Sequence, residues 1–427
     1  MLKKTINISV ICLILVLFFV FTAQLSFAQE KINVMAHRVH KDVVVGSSGA
    51  GINIMPDLIK QEGIDVEWQT LPWEKMQELI YREASLKQSN ISVMYILDSW
   101  ASPQMMKLFS PLNEYIEKNP IENFDSIAKG MRESMTINGK IYAIPVRANA
   151  SLMFYNEKIL KDHGFEKAPQ NFEEVISIAK AVSGRQEDGK RVYGLRFEVP
   201  TELINWARAW GGDTITSDFE IKLNEKPMIK VLQLARELYE AGAIPRDFMN
   251  LTADEYLTLM LNGQLAMTIR GANYYYTLTD PEKSNVAEDI KFIPVPASKT
   301  VDFDVTPVKT NFWAIAIPKA SKNKENAWKF IKYLSSDKAA LTMALNGNGP
   351  TKLTVLEDEQ YMKETPYAIE AKKALNVGRP LWPAFTELPK VMDIFKEEVV
   401  MAVVGKKTPQ EAMDDAAERI KPLLPKN

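Results

Sequence analysis

The chain has 427 residues, of which 46% are hydrophobic, 25% charged and 9% aromatic, and its formal net charge is −2. This composition is typical of a globular protein of two or three domains, and it excludes a disordered chain, a fibre and a small disulfide-stabilised fold. The near-neutral charge, with no long block of Lys or Arg, also argues against a nucleic-acid-binding protein, which needs a concentrated basic face.

The N-terminus predicts a secretory signal peptide. Lys3 and Lys4 precede an unbroken apolar run at residues 10–21, and Ser26 and Ala28 place small residues at positions −3 and −1 of a cleavage site. We therefore predict cleavage after Ala28, so that the signal peptide is residues 1–28, and export to the periplasm. The apolar run is shorter than the roughly 20 residues that a membrane-spanning helix needs, so we expect no membrane span.

The only cysteine, Cys12, lies inside the apolar run of the predicted signal. It follows Val10 and Ile11 rather than a small residue, so it does not fit a lipid-attachment site. Cleavage would leave a chain without thiols, which excludes disulfides, a cysteine nucleophile and a thiolate metal site.

Short β-rich segments alternate with amphipathic stretches in the next part of the chain. We predict strands at residues 31–34, 64–68 and 91–97, and helices at 53–61 and 73–84. This β-α-β-α-β order favours a largely parallel sheet that is covered by helices.

The same pattern continues beyond the length of one domain. Helices are predicted to begin after Asn171, which forms a capping box with Glu174, and after Thr408, which is followed by Pro409 and Glu411. Further strands are predicted at residues 141–145, 193–197, 265–269 and 313–318. Because no Gly/Ser-rich or Pro-rich linker divides the chain, we expect two α/β lobes between which the chain crosses more than once.

A glycine-rich turn at residues 46–51 precedes a predicted helix, and Glu67 ends the next strand. Such a turn after a strand can hold a dinucleotide pyrophosphate, which leaves open an oxidoreductase that binds NAD(P) or FAD. The order here is GxxGxG rather than GxGxxG, so a tight turn at the border of a cleft is the preferred interpretation.

Catalytic and metal-binding motifs are not evident in the sequence. The histidines are His37, His40 and His163, and the first two are expected to point to opposite sides of their segment, which makes a poor metal pair. A run of three tyrosines, residues 274–276, leaves open a ferric-iron site or a binder of another charged solute such as a polyamine. We predict neither an enzyme, nor a cofactor, nor a metal site.

Tryptophans near predicted strand ends, loops and Pro or Gly favour a carbohydrate cleft. An aromatic face packs on the C–H face of a sugar ring, while Asp, Asn and Arg hydrogen-bond its hydroxyl groups. Any one of these tryptophans can equally belong to a core. The set is Trp100, Trp206, Trp210, Trp313 and Trp382.

Several segments, taken in order, resemble the family 1 extracellular solute-binding proteins of bacterial ABC importers, a family that includes the maltose-binding protein. The most specific is Asn138-Gly-Lys-Ile-Tyr-Ala-Ile-Pro145, followed by Leu152-Met-Phe-Tyr-Asn-Glu-Lys158. The others are residues 168–174, 210–213, 262–271, 312–318, 326–330 and 405–409. The resemblance covers essentially the whole chain after the signal peptide.

The resemblance implies a two-lobe α/β periplasmic-binding-protein fold with a multi-stranded hinge. It also implies a monomeric receptor that captures a mono- or oligosaccharide or a polyol between its lobes and delivers it to inner-membrane ABC permease subunits. We expect an N-terminal lobe of residues 29–148 with about 312–350, and a C-terminal lobe of residues 149–311 with about 351–427.

Candidate ligand-binding residues come partly from strand ends and partly from the resemblance. Asp98, Arg147 and Asn149 follow predicted strand segments, whose carboxyl ends border the crevice in open α/β sheets. Family members often place an acidic and aromatic pair where this chain has Asp98 and Trp100, and an acid where it has Asn149. Family positions also suggest Asn273 and Tyr274, where Pro-Trp is common, and Arg379 and Trp382. Trp206 and Trp313 complete the set of predicted ligand-binding residues.

Overall fold

The computed structural model describes residues 30–186 and 189–425, so the predicted signal peptide, its cleavage site and Cys12 lie outside the described residues. Strands and helices alternate through most of the chain, and both are numbered here in chain order. The strands are β1 Glu30–His37, β2 Ile64–Leu71, β3 Ile91–Leu97, β4 Thr136–Ile137, β5 Lys140–Ile141, β6 Ile144–Asn149, β7 Ser151–Asn156, β8 Gly184–Arg185, β9 Arg191–Leu195, β10 Leu265–Gly271, β11 Ile290–Ile293 and β12 Asn311–Ala316. The helices are α1 Arg38–Val45, α2 Met55–Glu62, α3 Trp73–Ala84, α4 Pro103–Met106, α5 Asn113–Lys118, α6 Lys129–Ser134, α7 Glu157–Asp162, α8 Phe172–Ala181, α9 Thr201–Ala209, α10 Lys226–Glu240, α11 Ala253–Leu261, α12 Tyr275–Leu278, α13 Lys324–Leu334, α14 Asp337–Leu345, α15 Glu359–Glu364, α16 Ala368–Val377, α17 Leu388–Val403 and α18 Pro409–Ile420.

The first sheet has the strand order β2-β1-β3-β12-β6. β1 pairs in parallel with β2 and β3, as the alternation of strands and helices predicts. β12 pairs antiparallel with β3 and with β6. Residues 91–96 of β3 are all buried, because helices cover both faces of this central strand.

The second sheet has the order β11-β7-β10-β9-β8, and only β9 and β10 pair in parallel. The parallel arrangement that the sequence predicts for residues 31–97 therefore does not extend to this sheet. β8 pairs antiparallel with β9, which follows it in the chain, but β7 pairs antiparallel with the distant β10 and β11, which the local order of elements does not reveal.

Local capping signals set the beginnings of two helices. Asn171 accepts a hydrogen bond from the backbone N–H of Glu174 at 3.0 Å and caps α8. Thr408 and Glu411 form a full capping box at α18, with Pro409 at the first helical position. Both predicted helix starts are confirmed.

The buried apolar side chains form two cores. The first core surrounds β1, β3 and β12, and the second joins β9 to α8, α9, α10, α17 and α18. Val355, Tyr361 and Leu375 belong to the first core, as do Leu152 and Phe154 of β7. The predicted lobe boundaries stay a prediction, since residues from both predicted lobes belong to this core.

Three chain segments run side by side where the two sheets meet. β6 of the first sheet passes into β7 of the second after Ala150. The chain returns before β12, where Thr310 donates its backbone N–H to Arg379 at 3.1 Å and Arg379 donates to Val308 at 3.3 Å. The hydroxyl of Ser151 also donates to the carbonyl of Lys309 at 2.7 Å. These segments form a multi-stranded hinge between two lobes.

Candidate functional site

A large cavity, about 2370 Å³ in volume, lies between the two lobes. The first lobe contributes the ends of β3, β6 and β12, and the second contributes the turn after β10 and residues 381–393. Seven of the predicted site residues line this cavity: Asp98, Trp100, Arg147, Asn149, Asn273, Trp313 and Trp382.

The pairing of β6 with β12 places polar and aromatic side chains on one wall. Arg147 lies opposite Trp313, and Asn149 lies opposite Asn311. Because opposed residues in an antiparallel pair project to the same face, and alternate residues share that face, all four side chains line the cavity.

Trp313 is supported from behind by buried aromatic groups. Its ring lies 4.6 Å from the ring of His40, which in turn stacks on Tyr95 at 4.4 Å. Burial, together with the positive charge of Arg147, lowers the pKa of His40 well below its usual value. Trp100 meets Trp313 edge-to-face at 5.3 Å, so the two indoles form an aromatic corner with a neutral imidazole beneath it.

The guanidinium of Arg147 lies in the floor of the cavity. It donates a hydrogen bond at 3.3 Å to the side-chain oxygen of Asn348, whose amide group is fixed by donating to the carbonyl of Val146 at 2.7 Å. Burial lowers the pKa of Arg147. The loop that carries Asn348 approaches β6 so closely that a Cβ on Gly349 would lie 1.7 Å from the carbonyl oxygen of Ala148, and only glycine fits there.

Asp98 follows β3 and lies at the base of the hinge, where its carboxylate accepts the backbone N–H of Phe312 at 3.4 Å. Burial raises the pKa of Asp98 to about 7, although this hydrogen bond and the charge of Lys309 act in the opposite direction.

The raised pKa of Asp98 predicts a pH-dependent loss of stability. Between pH 4 and 7 the folded state holds a proton on Asp98 that the unfolded state has released. Protonation of Asp98 therefore stabilises the folded state at low pH, and this contribution is lost as the pH rises. We expect Asp98→Asn, which stays neutral and keeps the acceptor for Phe312, to be more stable than the wild type by about 1–4 kcal/mol at pH 8 and similar to it at pH 4.

Urea unfolding at a series of pH values measures this difference. The exposed Asp302→Asn is the control, and its curve should follow that of the wild type. If the free energies of unfolding of the wild type and Asp98→Asn changed equally with pH, ionisation of Asp98 would carry no free-energy cost in the folded protein.

One hydrogen bond joins the two lobes across the cavity. The amide group of Asn149, at the end of β6, donates to the side-chain oxygen of Asn273, after β10, at 2.7 Å. A Cβ on Gly271 would lie 2.2 Å from that amide nitrogen, so a larger residue at this position would displace the side chain of Asn149.

Three predicted site residues do not line the cavity. Trp206 has no exposed surface and lies in the second core, 5.1 Å from the ring of Phe197. Tyr274 lies under the guanidinium of Arg270 at 4.1 Å. Arg379 forms an ion pair with Asp213 at 2.9 Å.

Trp382 occupies an intermediate position. It lines the cavity, but it is only 6% exposed and packs edge-to-face on Phe395 of the second core at 5.6 Å. Most of its ring therefore contributes to the packing of its own lobe.

The structure also brings to the cavity residues that sequence reasoning missed. Lys309 and Asn311 precede Trp313 at intervals of two and line the cavity with it. Their alternation before a predicted strand is a signal that could have identified them. Asn348 and Tyr367 also line the cavity, but they come from distant segments, and nothing local in the sequence marks them.

The glycine-rich turn borders the cavity at Gly49, as the preferred interpretation expects. It follows helix α1 rather than a strand, however, and its residue Ser48 donates a hydrogen bond to the carbonyl of Asn346 at 2.7 Å. The turn therefore lacks the strand-turn-helix context that a dinucleotide site needs.

Residues 30–186 and 189–425 contain neither a cluster of metal-ligating side chains nor a membrane-spanning helix. Within these ranges no three His, Cys, Asp or Glu side chains come together in a group that could hold a metal ion. The helices of the same ranges are all too short or too polar to cross a membrane.

A family model described as bacterial extracellular solute-binding protein matches residues 51–341. Among curated relatives, a probable amino-acid ABC transporter periplasmic-binding protein, y4oP of Sinorhizobium fredii, is 21% identical over 89% of this chain and 88% of its own length. The sn-glycerol-3-phosphate-binding periplasmic protein UgpB of Pectobacterium atrosepticum is 24% identical over 67% of each chain.

Solved structures share the fold. Maltose-bound MalE3 of T. maritima is 20% identical, with a TM-score of 0.69 over 92% of this chain and 100% of its own. A ribitol-bound ABC transporter solute-binding protein of Agrobacterium radiobacter K84 is 19% identical, with a TM-score of 0.69 over 92% and 99%. At these identities the likeness establishes the two-lobe α/β fold.

Proposed function

This chain belongs to the bacterial extracellular solute-binding proteins, and from that premise we propose that it is the periplasmic receptor of an ABC importer for a sugar or a polyol. The receptor works as a monomer that captures its ligand in the cavity between the lobes and delivers it to the permease subunits in the inner membrane. The predicted signal peptide supports export, and relatives named as periplasmic ABC transporter proteins support the partner.

The observation that carries this proposal is the wall formed by β6 and β12. Trp100 and Trp313 offer aromatic faces, and Asn149, Asn311 and Arg147 offer hydrogen-bonding groups beside them. A pyranose ring or an extended polyol has the matching chemistry, with C–H faces that pack on indole and hydroxyl groups that pair with amides.

The hinge supports capture by closure. Ligand contacts from both lobes are complete only in the closed form, so binding shifts the population toward that form. The hydrogen bond between Asn149 and Asn273 lies on this boundary, and an entering hydroxyl group can exchange with either amide.

Thermal unfolding with a panel of sugars and polyols tests the proposal. A ligand that binds only the folded state at 100 times its Kd stabilises it by about 2.7 kcal/mol, so at least one compound should raise the Tm by a degree or more. Amino acids, spermidine, ferric citrate and NAD+ serve as controls in the same panel. A shift with one of these and with no sugar or polyol would contradict the proposal.

A further inference from the structure

The charged side chains that line the cavity divide into an exposed group, called the rim here, and a less exposed group, called the floor. The exposed charged residues that line the cavity form its rim, and they are the acidic Glu78, Glu364 and Asp393 and the basic Arg82. The charged side chains with restricted exposure are Asp98, Arg147 and Lys309. A ligand that reaches the floor therefore meets two cations and one carboxyl group.

The fold leaves the guanidinium of Arg147 without an anionic partner. Within the described part of the chain, its guanidinium has no carboxylate within ion-pairing distance, and its side-chain hydrogen bond goes to the neutral oxygen of Asn348. Two other buried arginines of this protein are neutralised, Arg196 by Glu202 at 3.4 Å and Arg208 by Asp213 at 3.2 Å.

An unpaired cation in a partly dehydrated site carries a desolvation cost that an anionic ligand can offset. The guanidinium also presents a planar fork of donors, of which the bond to Asn348 uses one nitrogen. The remaining donors match the two oxygens of a carboxylate or a phosphate.

Lys309 adds positive charge farther along the same wall. It precedes Trp313, the residue opposite Arg147, by four positions, which corresponds to about 13 Å along an extended chain. Asn311 lies between Lys309 and Trp313, opposite Asn149. The anionic group of a ligand can therefore pair with Arg147 while its hydroxyl groups reach Asn149 and Asn311. Lys309 lies on the Asp98 side of the site, where its charge lowers the pKa of that carboxyl group.

We propose that the ligand is an anionic carbohydrate, and that its carboxylate or phosphate pairs with the guanidinium of Arg147. This inference rests on the proposed function, because it specifies the charge of the sugar or polyol that the cavity takes. Trp313 then packs on the ring next to the anionic substituent, since it lies opposite Arg147 on the neighbouring strand.

Matched neutral and anionic ligands test the inference by isothermal titration calorimetry. The compounds are glucose, glucuronate and glucose 6-phosphate, with galactose and galacturonate as a second set. We expect at least one anionic compound to bind about 10-fold or more tightly than its neutral counterpart. Whether the carboxylate or the phosphate compound binds identifies which anion the site takes.

Three variants assign that preference to the floor of the cavity. Arg147→Gln should weaken binding of the anionic compound by about 10- to 100-fold and weaken binding of the neutral sugar much less, because the glutamine amide can still hydrogen-bond a hydroxyl group. Arg82→Gln, which removes the same charge from the exposed rim, is the matched control and should change neither. Arg147→Lys keeps the charge without the forked geometry and should lie between the wild type and Arg147→Gln.

The outcomes separate the inference from the proposed function. If neutral sugars bind as tightly as their acids, or if Arg147→Gln weakens both equally, the inference fails while sugar binding stands. If no carbohydrate of either charge binds, the proposed function fails and the inference fails with it.

Discussion

Replacing Arg208 by methionine is expected to lower the free energy of unfolding by about 3–5 kcal/mol, because three carbonyl groups lose their donor and Asp213 loses one of its two cationic partners. Arg208 lies on α9 and its side chain is 2% exposed. It donates hydrogen bonds to the carbonyls of Pro307, Pro380 and Leu381 at 3.2, 2.8 and 3.1 Å. The guanidinium of Arg208 thus joins the hinge segment that precedes β12 to the hinge segment that contains Arg379.

Methionine fills much of the same space but leaves these carbonyls without this donor, while the carboxylate of Asp213 keeps Arg379 and the backbone N–H of Thr214. Urea unfolding followed by circular dichroism measures the loss. Arg379→Met is the matched control, because Arg379 pairs with the same carboxylate at 2.9 Å while its side chain is 45% exposed. Its loss should cost less than about 1 kcal/mol. Equal losses for the two variants would show that the hinge does not depend on Arg208.

Truncating two tryptophans is expected to give opposite results, although both are candidate ligand residues by sequence. Trp206→Ala should lower the free energy of unfolding by about 3–5 kcal/mol, since it empties a fully buried site between Phe172 and Phe197. Affinity in the folded fraction should not change. Trp313→Ala should cost less stability but weaken sugar binding by about 10-fold or more, because it removes the stacking face on the cavity wall.

Urea unfolding and calorimetric titration of both variants separate these effects. Trp382→Ala should lower both stability and affinity, as its ring lines the cavity and packs on Phe395. A Trp206→Ala protein with normal stability and reduced affinity would place Trp206 in the ligand site after all.

Local sequence patterns were sufficient for much of the first lobe. The helix Trp73–Ala84 and the strand Ile91–Leu97 have the predicted bounds, because amphipathic spacing and a continuous apolar run are properties of the segment itself. The position of β12 between β3 and β6 was not predictable in this way. The strand comes more than 160 residues after β6, and its pairing depends on the return of the chain through the hinge.

Local sequence patterns also predicted some residues of the candidate site and not others. Asp98 and Arg147 lie at strand ends, where local reasoning places them, and both line the cavity. Trp206 lies within α9, three residues after Leu203 and four residues before Trp210. Apolar residues at these intervals indicate the buried face of a helix. Its nearness to Pro and Gly obscured that pattern. The unpaired state of Arg147 depends on which carboxylates the fold brings near, so only the tertiary structure reveals it.

A crystal structure of the protein with the carbohydrate that raises its Tm most is the most direct test of binding between the lobes. We expect density for the ligand in the cavity, with its ring against Trp313, its hydroxyl groups at Asn149 and Asn311, and contacts from both lobes. A carbohydrate bound elsewhere on the surface, with the cavity filled by water alone, would contradict the account.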